Sequence, residues 1–296
     1  MIDLFAPYNS ISIIGMDKNV GKTTLLNHLI KKFSANNTSL ALTSIGLDGE
    51  DVDLVVGNPK PRIYVPKNTV IATAEGLLAH CDITLEVEAV TPFHTPLGRI
   101  VIIRGLSAGY VQLAGPSMVS QMAKLVESFD KVDKIIIDGA ISRKTFADPA
   151  ITQSVVLCTG AALAGDMDAV IAQTRHAVNL LTLQKAPQNS DIIPMEGAVS
   201  EGKIKALVTS GKDLRGKTIL ADDPTKILIT APTYEKLKIK GATLAVKNPV
   251  NLVAVAVNPF SPKSPSFPAE EFLEKMRNSL PIFSFAIEKF SFAIEN

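Results

Sequence analysis

Residues 15–24 read GMDKNVGKTT, and this stretch decides the fold. An apolar run at 11–14 precedes it, and an amphipathic stretch with apolar residues at helical spacing follows at 22–33. This order predicts a buried strand, a glycine-containing turn and a helix. Main-chain N–H groups that converge at a helix start bind phosphate, and glycine lets a ligand approach the backbone closely. The stretch therefore predicts a phosphate-binding loop.

Each residue of this loop has an expected role. Lys22 would reach the β- and γ-phosphates, and Thr23 would place its hydroxyl on Mg²⁺. Asp17 would fix the shape of the loop or touch the metal, since a carboxylate repels phosphate; Lys18 would screen phosphate charge or lie in solvent. The residues expected to contact nucleotide are Gly15, Asp17, Lys18, Asn19, Val20, Gly21, Lys22, Thr23 and Thr24. Five residues rather than four separate the two glycines, so an ordinary strand–loop–helix turn is the alternative.

Composition excludes several classes of protein. The chain has 296 residues, of which 46% are hydrophobic and 20% are charged, so it is neither disordered nor collagen-like. A net charge of +1 offers no broad field for a polyanion, so no nucleic-acid partner is expected. Two cysteines form no disulfide framework, the first residues lack a signal-peptide core, and the longest apolar run, 252–257, is too short for a membrane span. We expect a cytoplasmic protein without a membrane partner.

Short apolar runs alternate with amphipathic stretches along most of the chain, which favours an α/β fold with a mostly parallel, doubly wound sheet. One domain over 1–290 is expected, followed by a tail at 291–296. The predicted strands are 11–14, 40–44, 63–65, 134–138, 154–158, 227–229 and 252–257, and the predicted helices are 22–33, 117–129, 166–182 and 268–278.

Residues 55–105 break this pattern and are interpreted as a small antiparallel insertion. Residues 69–80 suggest a helix. From Ile83 to Ala89 apolar and polar residues alternate, which is typical of a half-buried antiparallel strand. The run 100–103 is expected to pair with it across the loop 91–99.

The end of the chain carries a repeat, FSFAIEK at 283–289 and FSFAIEN at 290–296. Two copies of seven residues are too short for a repeat fold. Since seven is odd, a continuous strand would send equivalent side chains of the two copies to opposite faces. We expect the first copy to be a native strand and the second to be a tail.

Several motifs together carry a resemblance. The spacing Gly-x5-Gly-Lys-Thr, with Asp17 after the first glycine, resembles dethiobiotin synthetase and related P-loop NTPases. GMDKNVGKT, with IGLDGED at 45–51, KPRIYV at 60–65, IATAEGLL at 71–78 and IIIDGAISRK at 135–144, resembles the P-loop subunit of the lysine 5,6-aminomutase reactivase. The resemblance implies Mg-ATP as cofactor, a MutS-related ATPase subunit as partner, and an adenosylcobalamin-dependent aminomutase as the protein acted on. A homodimer stays open.

Carboxylates outside the loop suggest a magnesium site. Asp138 ends an apolar strand, where an acid in P-loop proteins orients Mg²⁺; the alternative is a cap for the next turn. Asp48 and Asp51 follow the second strand and would complete the metal shell or lie in a solvated acidic loop. Arg143 would neutralise a transferring phosphoryl group, or lie in a basic surface turn. Asn258 ends a late strand where relatives recognise the base, or forms a plain turn.

Three functions remain open from the sequence. The first is an ATPase that serves a reactivation factor, with Lys22, Asp138 and Arg143 as its catalytic residues. The second is a small-molecule ligase or kinase like dethiobiotin synthetase, although the end of the second strand, LTSIG at 42–46, lacks the lysine which that family places there. The third is a nucleotide sensor without turnover, because a binding loop does not establish catalysis.

Overall fold

The architecture comes from a computed structural model, described for residues 2–45, 62–139, 151–262 and 265–287. The α-helices in these ranges are α1 (Lys22–Ala35), α2 (Val119–Glu127), α3 (Met167–Leu181), α4 (Glu201–Thr209), α5 (Ala231–Ile239) and α6 (Ala269–Ser279). The strands are β1 (Ser10–Gly15), β2 (Leu40–Ser44), β3 (Ile63–Val65), β4 (Val70–Ala74), β5 (Leu85–Thr95), β6 (Gly98–Gly105), β7 (Gly109–Val111), β8 (Lys134–Asp138), β9 (Ser154–Gly160), β10 (Asp191–Pro194), β11 (Val199–Ser200), β12 (Lys217–Ala221), β13 (Ile227–Leu228), β14 (Thr243–Val246), β15 (Leu252–Asn258) and β16 (Ser284–Ala286).

A nine-stranded sheet organises the fold, in the order β16-β15-β9-β1-β8-β2-β4-β6-β5. All pairs from β16 to β4 are parallel, and the last two pairs are antiparallel. The chain is therefore α/β with a large, mostly parallel central sheet. Because neighbouring parallel strands end at the same edge, the carboxyl ends of β1, β2, β8, β9 and β15 lie side by side there.

Helices cover both faces of the sheet. On one face α1 packs its apolar side, including Leu25 and Leu29, against Ile13 of β1 and Ile136 of β8. On the other face α2 covers the half of the sheet around β8 and β4, and α3 and α6 cover the half around β9 and β15. Strands that are buried on both faces have continuous apolar sequences, so their bounds can be predicted from the sequence.

The edge of the sheet corrects one prediction. Residues 69–80 do not form an α-helix: 70–74 are strand β4, and a 3-10 helix follows at Glu75–His80. The β-branched residues of β4 pack well on a pleated surface, and β4 pairs with β2 in parallel. The predicted antiparallel pair is confirmed, because β5 pairs with β6, but the expected loop at 91–99 is wrong: β5 continues to Thr95 and β6 begins at Gly98. This part of the predicted insertion thus extends the main sheet.

A second, smaller sheet was not predicted. Strands β10, β12 and β14 are parallel, and α4 and α5 connect them. These elements share a hydrophobic cluster that includes Val199, Ile204, Ile219 and Leu237. The outer strands are short, and β10 is largely exposed, so its sequence carries little apolar signal. The predicted single domain over 1–290 stays a prediction.

The other predicted elements agree with the structure to within a few residues. The first copy of the C-terminal repeat contains strand β16, which pairs with β15 and confirms the expected strand. The second copy and the expected tail lie outside the described residues. No helix in the described ranges is long and apolar enough to cross a membrane.

Candidate functional site: the loop between β1 and α1

The candidate site lies at the carboxyl edge of the central strand β1. All six residues of β1 are buried, and α1 begins at Lys22 directly after the loop. A Cβ at Gly15 would lie 2.7–2.9 Å from Cδ, Cγ and Nζ of Lys22. The Lys22 side chain therefore folds back over Gly15, and a larger residue at position 15 would have to displace it.

Lys22 and Asp17 shape the near side of the loop. The Lys22 ammonium donates a hydrogen bond to the main-chain oxygen of Asp17 at 3.1 Å. The Asp17 carboxylate accepts one from the N–H of Lys18 at 2.6 Å. The side chains of Asp17, Lys18 and Asn19 are exposed, so a ligand can reach this part of the loop from solvent.

The far side of the loop is anchored in the protein. Asn19 and Gly21 have positive φ angles of 60° and 92°, and the Val20 side chain between them is fully buried in the core. Asn258, at the end of β15, donates from Nδ2 to the main-chain oxygen of Asn19 at 3.2 Å. A Cβ at Gly21 would lie 2.7 Å from Cδ1 of Ile287, so Gly21 is enclosed as well as left-handed.

The helix start itself is open to a ligand. Gly21 has no side chain with which to cap α1, and its carbonyl accepts the first helical hydrogen bond, from Leu25, at 2.9 Å. Thr23 and Thr24 lie in the first turn and are half-buried. The first N–H groups of a helix carry partial positive charge and lack intrahelical partners, so an anion is stabilised here.

Asp138 reaches the same end of the sheet. It ends β8, with Ile13 of β1 and Ser44 of β2 as its register neighbours. Ile136 packs on the α1 face, and strand alternation places Asp138 on that face too. The Asp138 residue is 5% exposed, so its carboxyl group is largely shielded from water.

Electrostatics link Lys22 and Asp138. Burial raises the pKa of the Cys158 thiol above its ordinary range; Lys22 opposes this rise and Asp138 adds to it. Both charges therefore act on one buried atom of β9, the strand next to β1. Cys158 itself is a small core residue without thiolate character at neutral pH.

The oxygen donors of Thr23 and Asp138 fit Mg²⁺ better than a softer metal. Thr23 and Asp138 offer hydroxyl and carboxylate oxygens, which Mg²⁺ prefers, and it usually keeps several waters rather than filling an all-protein cage. The described residues contain no group of three or more histidine, cysteine, aspartate or glutamate side chains that could hold a metal. Asp48, Asp51 and Arg143 lie outside the described residues, so their expected roles stay predictions.

Two contacts of the site were not foreseen from the sequence. Asn27, buried on α1, donates to the oxygen of Arg62 at 3.0 Å and accepts from the N–H of Tyr64 at 3.1 Å. This amide ties the helix after the loop to strand β3. The only sequence signal is a polar residue on an otherwise apolar helix face. The second contact, Ile287 against Gly21, has no local signal at all.

No protein-family model, curated protein or solved structure matches this chain.

Proposed function

We propose that this chain is an Mg-ATP-binding P-loop protein that hydrolyses ATP as a subunit of a reactivation factor for an adenosylcobalamin-dependent aminomutase. One observation carries the nucleotide part of the proposal. Lys22 folds back over Gly15 at the start of α1, where the N-cap residue Gly21 has no side chain to cap the helix. An ammonium group above an uncapped helix start suits a chain of phosphates.

The loop residues divide the binding work. The N–H groups of the first turn of α1 would hold phosphate oxygens, and the Lys22 ammonium would exchange the Asp17 carbonyl for the β- and γ-phosphates. Thr23 and Asp138 would hold Mg²⁺, Asp138 through a water. When bound, Mg²⁺ supplies neutralisation of the charge on the phosphates. The buried position of Asp138 keeps its carboxylate in one place relative to the loop.

The reactivation part of the proposal rests on the resemblance and gains support from one contact. A reactivation ATPase must couple its nucleotide to a surface that contacts another protein. Asn27 connects α1 to β3, and β3 pairs with β7 in a two-stranded ribbon outside the main sheet. A shift of α1 would therefore move β3, which lies in the region 55–105 that we propose contacts a protein partner.

The ligase alternative lacks a supporting residue. The resemblance to dethiobiotin synthetase implies a lysine at the end of the second strand, and β2 ends with Ser44 followed by Ile45. Phosphoryl transfer to another acceptor and nucleotide sensing without turnover stay as outcomes for the experiment to separate.

Isothermal titration of ATP, ADP and GTP, with and without Mg²⁺, tests nucleotide binding. Phosphate release is then measured alone, with small acceptors, and with the aminomutase and the MutS-related ATPase subunit. We expect Mg-ATP binding and a hydrolysis rate that rises with the protein partners. Absence of binding would overturn the proposal. Binding with no phosphate release under any condition would replace it with a sensor, and ADP formation that needs a small acceptor would replace it with a ligase or kinase.

A further inference from the structure

Asn258 connects three segments at the carboxyl edge of the sheet. Its side-chain Nδ2 donates to the main-chain oxygen of Asn19 at 3.2 Å, and its Oδ1 accepts from the N–H of Phe260 at 3.1 Å. Its main-chain oxygen accepts from the N–H of Ala161 at 2.9 Å. The first of these bonds crosses 239 residues of sequence and ends within the candidate phosphate loop.

The two side-chain partners fix the orientation of this amide. The Phe260 N–H requires an acceptor, which is Oδ1, so Nδ2 must face the Asn19 carbonyl. The position of the residue is fixed as well, because a Cβ at Gly160 would lie 2.3 Å from the Asn258 oxygen and 2.8 Å from its Cβ. Strands β9 and β15 thus close tightly here and hold Asn258 against the loop.

A hydrogen bond to the Asn19 carbonyl also orients an N–H group. The described residues have no cis peptide bonds, so the C=O of Asn19 and the N–H of Val20 point to opposite sides of one planar unit. While Asn258 holds the carbonyl, the Val20 N–H is held away from Asn258. The buried Val20 side chain and the left-handed φ angles of Asn19 and Gly21 allow this plane little freedom.

We propose that Asn258 is a positioning residue for phosphate binding, which fixes the peptide between Asn19 and Val20 so that its N–H faces a bound phosphate. This inference rests on the proposed nucleotide function. It assigns Asn258 a different task from the base recognition expected from its place after a late strand. A positioning residue acts on the phosphate tail, and a base-reading residue acts on the nucleobase.

The test compares two ligands that share a phosphate chain, Mg-ATP and magnesium tripolyphosphate. Asn258→Ala removes the donor, and Asn258→Asp replaces it with an oxygen that repels the Asn19 carbonyl. We expect Asn258→Ala to weaken both ligands by the same factor, about three- to tenfold, as for one lost hydrogen bond. Asn258→Asp should weaken both further.

Asn251→Ala is the matched control. Asn251 immediately precedes the opposite end of β15, is exposed, and donates from its side chain to the oxygen of Gln153 at 2.9 Å. It should leave both affinities unchanged. Thermal unfolding of each variant shows whether it is folded at the titration temperature, and Asn258→Asp, which keeps the shape of the side chain, serves where Asn258→Ala is unstable.

The possible outcomes test the positioning role of Asn258 separately from the proposed nucleotide binding. Wild-type protein that binds neither ligand overturns both proposals. Wild-type protein that binds both, while a folded Asn258→Ala binds both equally well, overturns the positioning role alone. A loss confined to Mg-ATP, with tripolyphosphate affinity unchanged, also overturns it, because that pattern is produced by base recognition.

Discussion

Two helices begin after neighbouring strands of the central sheet, yet their first turns differ. Helix α1 follows β1, and its N-cap residue is Gly21, which has no side chain. Helix α3 follows β9, and its N-cap residue is Asp166, whose carboxylate accepts a hydrogen bond from the N–H of Ala169 at 2.8 Å. The Asp166 carboxylate thus places a negative charge at the first turn of α3, whereas the N-cap residue of α1 supplies no charged group. The first turn of α3 is therefore capped by its own chain, whereas we propose that a ligand anion takes this place at α1.

Lys22→Ala gives the strongest test of this contrast. The variant removes the cation that folds over Gly15, and hydrogen bonds to charged groups each contribute about 1.5–3 kcal/mol. We expect Mg-ATP affinity to fall about 100-fold in isothermal titration. Lys31→Ala, an exposed change on the same helix, is the control. Unchanged affinity in Lys22→Ala would show that the helix start does not bind phosphate through this residue.

Gly21→Ala tests why the N-cap position of α1 is occupied by glycine. An alanine at φ 92° is strained, and its Cβ would lie 2.7 Å from Ile287. We expect a loss of about 2–3 kcal/mol in the free energy of unfolding, measured by urea denaturation. Gly211→Ala has a φ of 74° and nothing within 4 Å, so it isolates the backbone strain at about 1 kcal/mol. Equal losses in the two variants would show that the contact with Ile287 contributes nothing.

Asp138→Asn sharpens the comparison by contrasting two aspartates at the same edge of the sheet. If Asp138 serves a metal and Asp166 serves only a cap, Asp138→Asn should reduce the gain in ATP affinity that Mg²⁺ provides by about tenfold. Titrations without Mg²⁺ should differ little from wild type. An equal loss with and without Mg²⁺ would contradict a metal role.

Asp166→Ala removes the anion from the first turn of α3. The loss of an N-cap hydrogen bond should cost about 1 kcal/mol in the free energy of unfolding. Mg-ATP affinity should not change, because this helix start serves stability. A drop in affinity without a drop in stability would reverse the assignment of the two helices.

Glu201→Gln gives the smallest effect and extends the comparison to α5. The Glu201 carboxylate accepts from the Thr233 hydroxyl at 2.6 Å and from the N–H of Thr230, at the start of α5. These bonds lower the pKa of Glu201, the Thr233 hydroxyl most. A lowered pKa stabilises the fold above the ordinary glutamate range, and this stabilisation is lost as pH falls through the folded-state value. The free energies of unfolding of wild type and Glu201→Gln should therefore converge as the pH falls, as measured by urea denaturation at a series of acidic pH values. A difference that stays constant at all pH values would contradict this.

Local patterns predicted the centre of the fold and missed its periphery. The runs at 40–44 and 134–138 match β2 and β8, because strands buried on both faces carry an unbroken apolar signal. The run at 69–80 contains helix formers such as Ala74, Leu77 and Leu78, yet pairing with β2 makes its first half a strand. The strands β10, β12 and β14 have only four or five residues each, which is too short for them to stand out in the sequence.

The candidate site shows the same division. The residues of the loop are contiguous, so one sequence is enough to propose them. Its anchors are distant: the Asn258 amide and the Ile287 side chain reach the loop only because β15 and β16 occupy one side of the sheet. A role that depends on which strands pair in the folded protein cannot be predicted from the residue and its sequence neighbours. An asparagine at the end of a strand suggests a contact with a nucleobase as readily as a contact with the loop.

The contact between Ile287 and Gly21 sets an order of events during synthesis. Residues 15–24 leave the ribosome early. Ile287, which lies beside Gly21 and follows β16 directly, is the last of the described residues to emerge. Ile287 can lie against Gly21 only after that segment has docked beside β15. A nascent chain stalled upstream of Ile287 would carry all of residues 15–24 and still lack the neighbour that encloses Gly21.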